Sequence, residues 1–218
     1  MWLTNSSVGR KIVMSVTGLF LVLFVTFHAL MNAVALIKFE YYDAICEFLG
    51  ANWYAVAGTL VLAAGFVIHI IFAFILTFQN RKARGNNRYA VNARPKNVEW
   101  ASQNMLFLGI IVLGVMVLHL TQFWAKMQLP EMMGEHVMNG SFYLKATFSH
   151  IWVLPVYLIW FAALWFHISH GFWSAFQTLG TANDKWIERW QCISKWWATI
   201  VFILFAVEAC YFTWFFAI

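Results

Sequence analysis

Phe166-His167-Ile168-Ser169-His170-Gly171-Phe172-Trp173-Ser174 lies inside a long apolar run of this chain. Imidazole is costly in hydrocarbon unless something binds it, so an ionisable side chain in such a run marks a functional position. The flanks decide the fold. Residues 146–176 contain no Asp, Glu, Lys or Arg, and the run exceeds the roughly 20 residues that a helix needs to cross a bilayer. Four more runs resemble it, over residues 12–37, 53–78, 101–125 and 196–218. Three of them carry one histidine each: His28, His69 and His119.

Composition agrees. Of 218 residues, 62% are hydrophobic and 11% charged, and a soluble domain so made would lack the polar surface to cover itself. The expectation is an all-α membrane protein, one domain over residues 1–218, built as a bundle of five transmembrane helices. The first run is too long for a signal-peptide core, and no small-residue cleavage site follows it. The three cysteines, Cys46, Cys192 and Cys210, are far apart and form no C-x-x-C-H, which excludes haem attached through thioethers. The formal charge of +5 sits mostly in loops, where it reports topology and not nucleic-acid binding.

Five spans put the termini on opposite sides. With the N-terminus cytoplasmic, that side holds Arg10, Lys11, the basic loop 80–99 (Arg81, Lys82, Arg84, Arg88, Arg94, Lys96), Lys185, Arg189 and Lys195; the other side holds Lys38, Lys126 and Lys145. The positive-inside rule selects this orientation, with the C-terminus outside. Residues 38–50, 126–145 and 177–195 read as the remaining connections.

Helix rise turns position into height. His28 stands roughly 24 Å and His119 roughly 22 Å from the cytoplasmic ends of their helices, whereas His69 and His167 each stand roughly 13 Å from theirs. Two levels result, roughly 10 Å apart: His28 with His119 toward the outside, His69 with His167 toward the inside. Spacing alone leaves His170 open as the ligand in place of His167, since it lies on a neighbouring face one turn on. His136 and His150 fall at the outer ends and read as interfacial. Paired imidazoles with no carboxylate or thiolate beside them suit haem iron better than zinc or calcium. Two axial histidines leave no open iron position, which favours electron transfer over oxygen chemistry. Gly18, Gly58, Gly65, Gly109, Gly114 and Gly171 offer room for a porphyrin. The competing explanation is a histidine that merely hydrogen-bonds between helices.

With these features in hand the sequence resembles the cytochrome b membrane anchors of succinate:quinone oxidoreductases and quinol:fumarate reductases, in the single-subunit, five-helix, di-haem class. Ser15-Val16-Thr17-Gly18-Leu19-Phe20-Leu21 before His28, one histidine on each of four helices, and His167 four residues before Gly171 with Trp173 following carry the resemblance over nearly the whole chain. It implies two haem b groups, His69 and His167 on the inner iron and His28 and His119 on the outer. It implies a flavoprotein and an iron–sulfur subunit docked on the cytoplasmic face, a heterotrimer that can pair into a dimer, and electrons passing to or from a membrane quinone, usually menaquinone, in a bacterial cytoplasmic membrane. In that reading the chain is the quinone-reactive subunit of the enzyme and has no flavin or dicarboxylate site of its own. Ser15 matches a serine that binds inner-haem propionate, with Arg10, Lys11, Lys195 and His170 as helpers. A carboxylate near the outer end of helix one exchanges quinone protons in such proteins. Glu40, Asp43 and Glu47 lie there, and Glu47 is the choice, against the simpler account of a solvated loop acid. Two departures stand out: Trp165 occupies a position where some members carry glutamate, and Glu208 sits inside the fifth run with no family role, needing a proton or a partner. The alternatives are a di-haem cytochrome b of a hydrogenase or formate dehydrogenase, and a non-redox transporter or structural membrane protein.

Overall fold

In the computed structural model, residues 2–50, 52–84 and 99–217 are described, and all regular structure among them is helical. A short helix α1 (Trp2–Asn5) precedes α2 (Ser7–Ala33), which Ser6 caps by accepting from the Gly9 N–H at 2.9 Å. A Ser side chain here satisfies one of the amides that a helix start leaves unpaired. After a 3₁₀ turn at Val34–Leu36 come α3 (Phe39–Phe48), α4 (Trp53–Arg84), α5 (Trp100–Gln103) and α6 (Met105–Gln122). Then follow α7 (Gln128–Met132), α8 (Gly140–Phe148), α9 (Val153–Thr178) and α10 (Ile187–Ala217). Five helices are long and apolar enough to cross a membrane: Ser7–Leu36, Trp53–Ala83, Met105–Gln122, Val153–Thr178 and Ile187–Ala217. Many large apolar side chains on them, such as Leu23, Leu60, Ile110, Ile159 and Trp214, are exposed, as a lipid-facing surface requires.

The spans are those expected, but their ends are not. Helix α4 continues past residue 78 to Arg84, and α10 begins at Ile187, not at residue 196. Hydropathy marks the apolar stretch, whereas backbone hydrogen bonds run on into charged sequence. The fourth run is two helices: α8 ends at Phe148 and α9 starts at Val153, with His150 exposed in the break. Pro155 falls in the first turn of α9, where its missing N–H costs nothing. The connections 38–50 and 126–145 are not plain loops but hold α3, α7 and most of α8. The third run is interrupted at Asn104 and stops at Gln122. Most of the basic loop, 85–98, lies outside the described residues.

Helix α9 is the hub. It packs along α10, α2 and α6, and α4 packs on α2. The α9–α10 connection closes with Gly180 at φ 79°, the left-handed position that glycine takes without strain, and the Thr181 N–H reaches back to the Phe176 carbonyl. Ser194 on α10 is fully buried and donates to the Ser169 carbonyl at 2.6 Å, which fixes α9 against α10. Toward the face where the chain ends, Ala29, Tyr42, Phe148, Val153, Tyr157, Phe205 and Phe212 form the main core. There α3 is tied to α8 because the Ser141 N–H and hydroxyl both donate to Asp43, at 2.7 and 2.8 Å.

Candidate functional site

Two imidazole pairs stand inside the bundle. The rings of His28 on α2 and His119 on α6 have centroids 5.8 Å apart with planes crossed at 86°. Those of His69 on α4 and His167 on α9 are 6.3 Å apart at 63°. These are the two groupings that helix rise suggests. His170 belongs to neither pair.

Three helices measure the distance between the pairs. A methyl group added at Gly18 of α2 would meet His69 Cε1 at 3.4 Å, so Gly18 marks the His69 level; His28 lies ten residues on. Gly109 of α6 lies beside His167 in the same way, at 3.8 Å, and His119 lies ten residues on. On α9, the Tyr157 hydroxyl touches His119, ten residues before His167. Ten residues of α-helix rise about 15 Å. The levels are therefore further apart than the 10 Å expected, because the ends of different helices, from which heights were counted, do not lie at one common height.

The helices that carry each pair face one another across a diagonal. Among the described residues, neither α2 with α6 nor α4 with α9 is a closely packed helix pair, so the imidazoles bridge a gap that backbones do not close. All four histidines are partly, not fully, buried by the chain. Gly58 and Gly114 also face open space, whereas Gly65 is filled by the Phe20 ring and Gly171 meets Met105.

Second nitrogens are held unequally. His119 Nδ1 lies 3.2 Å from the Tyr157 hydroxyl, which donates to Gln122 at 2.6 Å. His28 Nδ1 lies 3.5 Å from the Asn32 amide. His69 Nδ1 lies 3.3 Å from Thr17 Oγ1, which also bonds the Val13 carbonyl at 2.8 Å. His167 Nδ1 is buried without a partner. Tyr157 and Thr17 already donate elsewhere, so their oxygens can accept from the Nδ1–H of His119 and His69. That orients each ring and leaves Nε2 to bind something else. The Asn32 amide instead donates to the His28 carbonyl at 2.8 Å. Phe24, Phe123 and Trp160 pack on the rings of the His28–His119 pair.

The remaining candidates are dispersed. Ser15 is buried on α2 near the His69 level, Lys11 is exposed, and the Arg10 guanidinium donates to the Asn5 carbonyl at 3.2 Å. His170 and Lys195 converge on one carboxylate, Glu99, at 3.2 and 3.0 Å. Burial by itself raises the Glu99 carboxyl, but hydrogen bonds from His170 and Lys195, with their charge, outweigh it and hold the group below its ordinary range. Glu47 is exposed on α3. It does not line the open groove of about 430 Å³ that Phe39, His136, Phe142, Lys145, Phe215 and Phe216 help to form. The sequence reading did not single out Tyr157, Asn32 or Glu99. A hydroxyl and an amide in otherwise apolar runs were available signals for the first two, whereas Glu99 finds His170 across 71 residues.

The chain was compared with models of protein families, with curated proteins and with solved structures, and none matches.

Proposed function

We propose that this chain is the di-haem cytochrome b anchor of a succinate:quinone oxidoreductase or quinol:fumarate reductase. The observation that carries the reading is the pair of imidazole couples, one above the other. With metal–nitrogen bonds of about 2 Å and each ring centre about 1 Å beyond, two imidazoles on opposite sides of one metal ion have centroids about 6 Å apart. The measured 5.8 and 6.3 Å suit that spacing. Among the described residues no group of three or more His, Cys, Asp or Glu converges. A site offering two imidazoles suits a metal whose other four positions are filled by a macrocycle.

His69 and His167 hold one haem b, and His28 and His119 the other. Bound haem iron supplies one-electron transfer. The protein supplies orientation through Tyr157 and Thr17 and apolar walls that exclude water, and two imidazoles per site would leave the metal no open position for oxygen. His170 and Lys195, which already converge on a carboxylate, are the donors best placed for propionates of the haem held by His69 and His167. With the basic N-terminal face cytoplasmic, that face is where an iron–sulfur protein and a flavoprotein dock, and a lipid quinone, menaquinone in this class, exchanges electrons nearer the opposite face of a bacterial membrane.

The test is purification of the chain after full haem supply, with a reduced-minus-oxidised spectrum and pyridine haemochrome counting. Two b haems per chain are expected. A colourless protein would overturn the proposal. Co-purification of a flavin subunit that reduces fumarate or oxidises succinate separates this reading from a hydrogenase or formate dehydrogenase subunit, which would bring nickel or molybdenum.

A further inference from the structure

Glu208 is the charged-type residue that the pairs leave unexplained. It lies on α10 and is 4% exposed, with Oε1 buried and without a hydrogen-bond partner. Burying a carboxylate among apolar groups with no cation is among the costliest arrangements a membrane helix can hold, so such a group persists where proton exchange or a partner compensates for it. Its position is specific. One turn before it, Phe205 packs on the His28 ring at 6.1 Å and stacks on Phe161. One turn after it, Phe212 is buried against Phe39 and Phe148. Glu208 thus sits between the His28–His119 level and the chain-end face, on the same helix that touches His28, but with Phe205 as the contact.

The elements packed around it supply few ionisable groups. From α3 comes Tyr42, buried in the same core cluster as Ala209 and Phe212, which follow Glu208 on α10, with Cys46 and Asp43 on the same helix. Helix α2 carries His28, α9 carries Tyr157, and α8 carries Tyr143 and Lys145. Tyr42 is 7% exposed, and burial first, then Cys46, hold its phenol well above the ordinary value, so it remains a donor. It is locked in place because Asp43, its neighbour, is bound twice by Ser141, and because Cys46 lies against Gly140 of α8. Tyr42 is therefore a buried hydroxyl-bearing side chain in the core cluster that adjoins the acid, held where α3 and α8 meet.

We infer that Glu208 is the proton-exchange group coupled to the His28–His119 redox site, with Tyr42 as its relay to the chain-end face. The inference rests on the proposed function. Glu208 takes up one proton when one electron arrives at that site and releases it when the electron leaves. Two such turns match the two electrons and two protons that convert a quinone, the oxidant, to its quinol. Charge compensation of this kind spares the apolar interior a net change, which is the physical reason to keep an acid there.

The experiment uses the purified full-length protein with both haems bound. Midpoint potentials of the two haems are measured against pH, and redox-difference infrared spectra are recorded with and without isotopically labelled glutamate. In the native protein one haem, identified by its loss in His28→Ala, should fall by up to about 59 mV per tenfold drop in proton concentration, with a glutamate carboxyl band that follows its redox state. Glu208→Gln should flatten that slope and abolish the band while both haems remain. Glu208→Asp should restore part of the slope, and Tyr42→Phe should slow proton exchange without removing the band. A native protein with two haems, a pH-independent potential and no glutamate band overturns the inference even if Glu208→Gln does not fold. An unchanged slope in Glu208→Gln overturns it equally. A native protein without b haem overturns the proposed function itself, and this coupling with it.

Discussion

The two imidazole pairs differ in how firmly the protein holds them. Around His28 and His119, both second nitrogens have neighbours, Asn32 and the Tyr157–Gln122 chain, and aromatic rings pack on both imidazoles. Around His69 and His167, only His69 is tethered, through a threonine already committed to its own helix, and His167 Nδ1 is buried with nothing to bind. The first pair stands next to the main core through Phe205 on His28, although each pair uses one sparsely buried span, α6 for the first and α4 for the second. The difference teaches that one site is organised by the fold, while the other depends more on what occupies it.

The comparison can be broken most severely at the histidines. Replacing His28 or His119 with alanine should remove one haem and leave the other, and replacing His69 or His167 should do the reverse, so haemochrome counting falls from two to one. Loss of the same haem from a cross-pair, such as His28 and His69, would destroy the pairing. The unequal tethering sharpens next. Tyr157→Phe removes the hydroxyl from His119 and should weaken haem retention by about 10–100-fold, the usual effect of deleting a group that orients a ligand. Thr17→Val should cost less, because that hydroxyl bonds mainly to its own helix; haem loss to apomyoglobin measures both. Equal effects would remove the distinction between the sites.

A smaller effect lies at Glu99. Its carboxyl is held below the ordinary range, so it contributes stability that is present above the unfolded carboxylate value, about pH 4, and is lost as pH falls through the lower folded value. Glu99→Gln should remove that acid-side loss, with a change at neutral pH under about 1 kcal/mol because the group is partly solvated. Thermal melting at pH 7 and near pH 3 in detergent is the measurement. A variant that keeps the native acid sensitivity would show that the cluster does not report on this carboxylate.

How much of this was legible in sequence follows from the physics of each signal. Five spans were readable because hydrocarbon demands long apolar helices, and the grouping of histidines was readable because rise per residue is fixed. Their separation was underestimated because heights were counted from the ends of separate apolar runs, and helix ends such as those of α4 and α9 do not share one level. The break before α9 was hidden in an apolar sequence, although Pro155 marked a helix start. The Glu99 cluster and the locking of Tyr42 under α8 depend on contacts between distant segments, which no local pattern encodes.

The ten-residue interval on α2, α6 and α9 constrains how such a chain can change length. One residue added between Gly18 and His28, or between Gly109 and His119, would turn one end of that helix against the other by about 100°. One site would keep its facing partner and the other would lose it, so insertions and deletions there are forbidden in single steps.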